Sequence, residues 1–380
     1  PIAGSWAFGL AWLATGLCFA AIAALTAQVS TTARAANALA FIALGLAYLL
    51  RAVGDATGTL DGPSGWGWAS PIGWSQQMRA FAGDRFALLA PTVIAAVVIA
   101  GLAFLIAGRR DLGAGLIADR AGRPSASPRL SSPWGLAWRL QRGLLLAWLV
   151  GYAVLGAIMG SILSNLGDML NSPQMQSMVE VFGGTPRLID AFITMEFAII
   201  AFVTSAYGIV AARRVASEET AGHSECVLAG AVSRPSYLMS HVVVAVVGTT
   251  ALAVTQGLAF GLADAATTSS TQRIATSLAA AVVWLPAVWS VTALAVLLVG
   301  LAPRLIGLAW IALVGFLLIS EVGALLEWPQ WILDTSPFAH IPLLPGQDMQ
   351  WLPVAVLSAI AVVLVALANM SFARRDLDVP

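Results

Sequence analysis

The sequence predicts an all-α polytopic membrane protein. Three observations carry that prediction. Of its 380 residues, 59% are hydrophobic and only 10% charged, against about a quarter charged in an average soluble domain. Apolar residues gather in runs of about 20, the helical length that crosses a hydrocarbon core of about 30 Å. Arginines cluster in alternate loops between the runs, and 14 of the 19 fall on one side, the bias that marks the cytoplasmic face.

Nine runs are long enough to span. They lie near 5–29, 36–54, 87–107, 143–165, 190–212, 239–263, 275–300, 305–326 and 352–372. A backbone in lipid must satisfy its own hydrogen bonds, so each is expected to be a helix. Barrel strands alternate over about ten residues, and these runs do not. No charged stretch precedes the first run, so it reads as a span rather than a signal peptide. The C-terminus is expected on the cytoplasmic side, in a bacterial plasma membrane.

Composition also excludes several chemistries. The 19 basic residues are all arginine. A Walker A loop and a Schiff-base enzyme each need a lysine, and the chain has none. Net charge is zero, so no field draws a polyanion, and nucleic acid is not an expected partner. Cys18 and Cys226 show no metal spacing. His223, His241 and His340 are scattered, and no catalytic site or metal is expected in this chain.

An internal repeat organises the spans. Ser70-Pro71 and Ser336-Pro337 each precede a final span, after which stand Arg109-Arg110-Asp111-Leu112 and Arg374-Arg375-Asp376-Leu377. Pro71 to Arg109 is 38 residues and Pro337 to Arg374 is 37. Arg34 and Arg304 mark the inner turn upstream in each copy. One motif used twice in the same orientation fits a six-plus-six pseudo-twofold bundle. Residues 1–112 are then the last three spans of the first half, 113–142 a cytoplasmic linker with an interfacial helix, and 143–380 a complete second half. Nine of twelve spans are visible on this reading. The other three would occupy roughly 140 residues upstream, the length of 143–283.

Within the linker, Pro124, Pro128 and Pro133 with several serines read as flexible. Trp134 and Trp138 stand four apart beside Arg139 and Arg142. That pattern suits an amphipathic helix lying in the inner interface. The inner loop 213–238 carries a second short amphipathic pattern. Ser217 is expected to cap it, with Glu218 and Glu219 in its first turn, where the dipole favours acids. Val227, Leu228, Ala231 and Val232 recur at helical spacing. Such a helix parallel to the membrane would dock a cytosolic partner.

Here a family resemblance enters. Gly222-His223-Ser-Glu225-Cys-Val-Leu228-Ala-Gly-Ala-Val232-Ser233-Arg234 resembles the coupling-helix pattern of drug-exporting ABC transporter permeases, G-T-x-E-x-L-L-x-x-P-V-S-R. Gly222, Glu225, Leu228, Val232, Ser233 and Arg234 match it. His223, Val227 and Ala231 depart from it. The double-length layout, the Ser-Glu-Glu-Thr-Ala-Gly stretch and the RRDL ends resemble the actinobacterial polyketide-antibiotic, or tetronasin-type, exporters along essentially the whole chain. The resemblance implies a separate cytosolic ATPase, in two copies, that binds ATP and Mg. It also implies a hydrophobic or amphiphilic cargo such as an antibiotic. Residues 217–234 would couple the two proteins, with Glu218, Glu219 and His223 among the contacts.

The outer loops 55–86 and 322–351 hold Trp66, Trp68, Trp74, Trp328, Trp331 and Trp351. Tryptophan favours the interface, so short outer helices in the headgroups are expected. Ionisable residues within spans are costly and mark function by default. Arg51 and Glu321 each stand 17 residues after the arginine of the inner turn, and are expected to pair near the outer gate. Glu196 is expected to face the pathway. Pro286 should kink its span, and Gly156-Ala-Ile-Met-Gly160 is a weak helix-packing motif. An ion-gradient-driven secondary transporter is the main alternative, and it would want mid-membrane carboxylates, of which only Glu196 offers itself. A lipid or glycolipid exporter is a further alternative. A membrane enzyme would need a polar cluster that the sequence lacks.

Overall fold

The computed structural model describes residues 2–59, 62–109, 115–116, 125, 130, 132–170, 185–268, 270–323 and 326–376. Pro124, Pro128, Arg110, Asp111 and Leu112 of the expectations above lie outside them, as does Leu377. The described residues form helices, with one isolated bridge between Thr59 and Gly62. Nine of the helical segments are long and apolar enough to cross a membrane, and each coincides with an expected run. The chain is an all-α polytopic membrane protein. It divides into two compact units, Pro1–Pro124 and Ser125–Pro380.

The first unit is built from α1 (Ile2–Val29), α2 (Ala33–Ala56), the short α3 (Gly65–Trp68) and α4 (Pro71–Gln77), and α5 (Leu89–Ala107). Thr32 caps α2, its Oγ1 accepting from the Ala35 amide at 3.3 Å. On α1 the buried positions are Gly4, Ala7, Ala11, Ala14, Cys18 and Ala21. They alternate steps of three and four along one stripe, all small, and α5 packs on α1. Trp6, Trp12, Leu13 and Leu17 point outward. Large residues outside and small ones inside is the inverse of a water-soluble helix. It follows from lipid being as apolar as leucine, so that close backbone approach supplies the packing energy.

The second unit contains α6 (Pro133–Leu170), α7 (Thr185–Thr220), α8 (His223–Leu228), α9 (Arg234–Thr268), α10 (Gln272–Val282), α11 (Leu285–Leu301), α12 (Gly307–Leu318), α13 (Gln330–Leu333) and α14 (Trp351–Arg374). Helix α9 is central and packs against α6, α7, α10, α11 and α14. Its buried face includes Tyr237, Leu238, Leu252 and Phe260. The seventh span is interrupted between Val282 and Leu285, just before Pro286. A proline ring clashes with the carbonyl four residues back and offers no amide, so the expected kink is a break. The eighth span ends in a π-helical turn, Ile319–Gly323.

One expectation needs correction here. Trp134 and Trp138 are exposed, as are Arg139 and Arg142, but they do not form a separate interfacial helix. They are the first turns of α6, which starts at the Ser132 cap (Gly135 amide to Ser132 Oγ, 3.2 Å) and runs unbroken through 143. Nothing between 134 and 143 breaks a helix, and Ala137, Gln141 and Leu145 continue one buried face. The compact units divide at Pro124 and Ser125, within the expected linker 113–142.

The two Ser-Pro pairs behave alike. Pro71 opens α4 and Pro337 opens a 3-10 turn, Pro337–His340. Both serines are fully buried. Ser70 Oγ donates to the Ala47 carbonyl at 2.6 Å, and Ser336 Oγ meets Ser320 Oγ at 3.0 Å. Each hydroxyl therefore ties its loop to the span before it.

Candidate functional site

The turn between the fifth and sixth spans joins two long helices at one end of the second unit. Helix α7 runs to Thr220, three residues beyond Ser217. Ser217 is exposed within the helix and caps nothing. This corrects the expected cap. Glu218 and Glu219 lie in a last turn, where the dipole opposes acids, and local cations offset that cost.

Glu218, 8% exposed, pairs with Arg214 one turn back and meets His223 Nδ1 at 3.2 Å. Glu219, 2% exposed, is gripped by Arg375 from beyond the last span. Arg375 Nη1 donates to Oε1 at 2.6 Å and Nη2 to Oε2 at 2.5 Å. The same guanidinium donates from Nε to the Gly300 carbonyl at 3.1 Å and lies over the Phe372 ring. Arg234 Nη1 donates to the Arg375 carbonyl at 2.5 Å. The Arg375 guanidinium thus ties together the ends of α7, α11 and α14, and Arg234 adds the start of α9 through the Arg375 carbonyl. A fork on a buried carboxylate is the strongest geometry available to an ion pair.

Gly222 ends α7 and begins α8. Its φ is +71°, and its amide donates to the Glu219 carbonyl at 2.9 Å. This left-handed exit is natural to glycine and costs other residues about 1–2 kcal/mol. Gly222→Val is expected to lose that amount, seen as a lower midpoint of thermal unfolding in detergent. Gly222→Asn should lose less, because asparagine tolerates the region.

Helix α8 lays Val227 and Leu228 on the core, and Val232 joins them beyond its end. His223, Glu225 and Cys226 face outward. Ser233 caps α9, its Oγ accepting from the Ser236 amide at 3.3 Å. The expected coupling residues therefore divide in two. His223 and Glu225 are on the exposed side. The Glu218 and Glu219 carboxylates are buried and held within the chain, so they brace the turn from beneath.

The remaining expected residues fall elsewhere. Arg51 pairs inside the first unit, with Asp55 Oδ2 at 2.8 Å and Gln76 Oε1 at 2.9 Å. Glu321 sits on the π turn of the second unit and lines a cavity there. Glu196 accepts from Gln256 Nε2 at 3.3 Å, between α7 and α9.

Sequence reasoning missed a polar seam along α9. His241, Gln256 and Asp264 are buried. Gln141 Nε2 lies 3.1 Å from His241 Nδ1, and Arg273 Nη1 lies 3.1 Å from Asp264 Oδ2. The available signal was spacing: with Thr249, these residues recur every seven or eight positions, one face of a helix. Among the described residues no group of three His, Cys, Asp or Glu could hold a metal.

Comparison with known proteins adds to this geometry. Residues 130–373 match the family described as multidrug efflux system permease Rv1217c, C-terminal domain. The chain is also 44% identical over 377 residues to the multidrug efflux system permease protein Rv1217c of Mycobacterium tuberculosis (strain ATCC 25618 / H37Rv). The chain belongs to this permease family. The match with the relative covers 98% of this chain and 68% of the relative. The family's matched segment opens just before α6 and closes one residue short of the end of α14. It therefore takes in all six spans of the second unit and the 217–234 turn.

Proposed function

We propose that the chain is the permease component of an ATP-driven exporter of the ABC type. It would move hydrophobic or amphiphilic compounds, antibiotics and drugs among them, out across a bacterial plasma membrane. Two copies of a cytosolic ATPase would bind ATP and Mg and engage the inner face, one of them at 217–234. The observation that carries the reading is the build of that turn. A six-residue helix is packed on the core by one side, shows His223, Glu225 and Cys226 on the other, and stands on a buried Glu219–Arg375 fork. The name of its relative, a multidrug efflux system permease, supports the cargo class. The placement of arginines supports a cytoplasmic C-terminus. Driving energy comes from the partner's different affinities for ATP in two conformations. The tetronasin-type resemblance narrows the proposed cargo to antibiotics of polyketide origin.

Cys226 supplies the test. It is exposed, while Cys18 is buried, so a maleimide cross-linker on purified native membranes should react at 226. The expected result is an adduct with a Walker-type ATPase, identified by mass spectrometry and lost in Glu225→Arg. Inside-out vesicles bearing the complex should take up antibiotic only with ATP. A permease that yields no ATPase adduct and moves substrate under an ion gradient alone would overturn the proposal in favour of a secondary transporter.

A further inference from the structure

At the end of the second unit remote from the 217–234 turn lies a cavity of about 1040 Å³. Helix α7 contributes Asp190 and Thr194 to its wall, the π turn contributes Ser320 and Glu321, and the segment 338–350 closes it. Thr194 Oγ1 donates to the Leu344 carbonyl at 3.0 Å and holds that segment to α7. Two carboxylates line the cavity together with His340, whose Nε2 lies 2.9 Å from the Asp334 carbonyl, and among the described residues no arginine does. Arg273 acts electrostatically on Asp190 but is itself taken by the buried Asp264. Trp284 lines the same cavity, and its buried indole N–H has no acceptor among the described residues.

A second, smaller space of about 480 Å³ adjoins the first at His340 and Pro353. It runs between α11, α12 and α14 past Leu294, Phe316, Val356 and Ile360. Its wall is mostly apolar, with Ser290, Asp334, Thr335 and His340 also lining it, and these helices turn many large side chains outward, where lipid would lie. An apolar groove thus opens into an acidic chamber.

We infer that this pair of spaces binds a cationic amphiphile, the positive head between Asp190 and Glu321 and the apolar part toward the α11–α14 groove. Charge decides the class. Asp190 and Glu321, with no arginine lining the cavity among the described residues, attract a positive guest and repel a negative one. The π turn fits a binding role, as such turns recur at functional sites. The binding stands on this geometry alone, and its use in transport rests on the export reading above.

Tetraphenylphosphonium and tetraphenylborate carry the same four phenyl groups around opposite charges and so isolate the electrostatic effect. Radiolabelled binding to the full permease in phosphatidylcholine nanodiscs, corrected with empty nanodiscs, should favour the phosphonium at least tenfold. Asp190→Asn with Glu321→Gln should weaken phosphonium binding at least tenfold. Glu321→Arg should strengthen borate binding, a gain that misfolding does not produce. Equal binding of both ions, binding of neither, or a double variant that holds phosphonium like the wild type would each overturn the inference. ATP-driven transport of a neutral dye, Nile red, by the wild-type complex separates the two readings. If the dye moves and phosphonium does not bind, only the present inference fails. If phosphonium binds as stated and nothing is transported, only the export reading fails.

Discussion

Arg375→Ala is expected to lower the stability of the second unit by about 3–5 kcal/mol, the cost of breaking a buried ion pair by removing one partner. The Glu219 carboxylate is 2% exposed and takes both prongs of the guanidinium. Its removal leaves a buried anion at a helix C-terminus, where the dipole is already adverse. It also strips side-chain donors from the Gly300 and Val299 carbonyls. Arg375→Lys should rescue only part of this, because an ammonium cannot reproduce the fork. Thermal unfolding of the purified permease in nanodiscs reads the effect. A more telling variant pairs Arg375→Met with Glu219→Leu. Apolar replacement of both partners of a buried pair is often neutral or stabilising, so unfolding should return toward the wild-type midpoint. ATP-dependent transport should stay impaired, since the turn would have lost its brace. A double variant that transports normally would reduce the pair to a packing device.

Gly160→Leu is expected to be of similar size, about 3 kcal/mol or more, as overpacking at a closed helix crossing. A side chain begun at 160 would land on the Phe260 carbonyl, and one begun at 156 would stand 2.9 Å from the Gln256 carbonyl. Both obstacles are backbone of α9, so no rotamer change relieves them. Helices α6 and α9 would have to part, and the polar contact of Gln141 with His241 would stretch with them. Gly151, which has open space around it, is the control. Gly151→Leu should unfold within about 0.5 kcal/mol of the wild type, as substitutions away from packed features usually do.

All nine spans were legible because hydropathy is a local quantity summed over 20 residues, and burial in lipid needs little else. The break at Pro286 was legible because proline acts on its own helix. The 217–234 turn was found by its motif, but its helix boundary was misplaced. The stretch Ser-Glu-Glu reads as a helix start by local rules, and only a cation 156 positions further along the chain makes a helix end tolerable there. Arg375 was visible as a repeat marker, not as a clamp, because no local pattern reveals a partner so distant. Trp134 to Arg142 looked interfacial for composition alone, whereas continuity of the Ala137, Gln141 and Leu145 face makes it part of a span. The GxxxG motif appeared weak in a glycine-rich chain, and its meaning depends on which backbone lies opposite.

Helix α7 has one more property. It is a single unbroken rod with the braced turn at one end and Asp190 and Thr194 at the other. From Glu218 to Asp190 is roughly 42 Å at 1.5 Å per residue, so tilting the rod by about 5° about its braced end displaces the far end by roughly 4 Å. That is comparable to the width of an aromatic ring. On the export reading proposed above, a modest push beneath the turn would be geared into a change in chamber width large enough to admit or expel a guest, with no side chain along the rod needing to relay it.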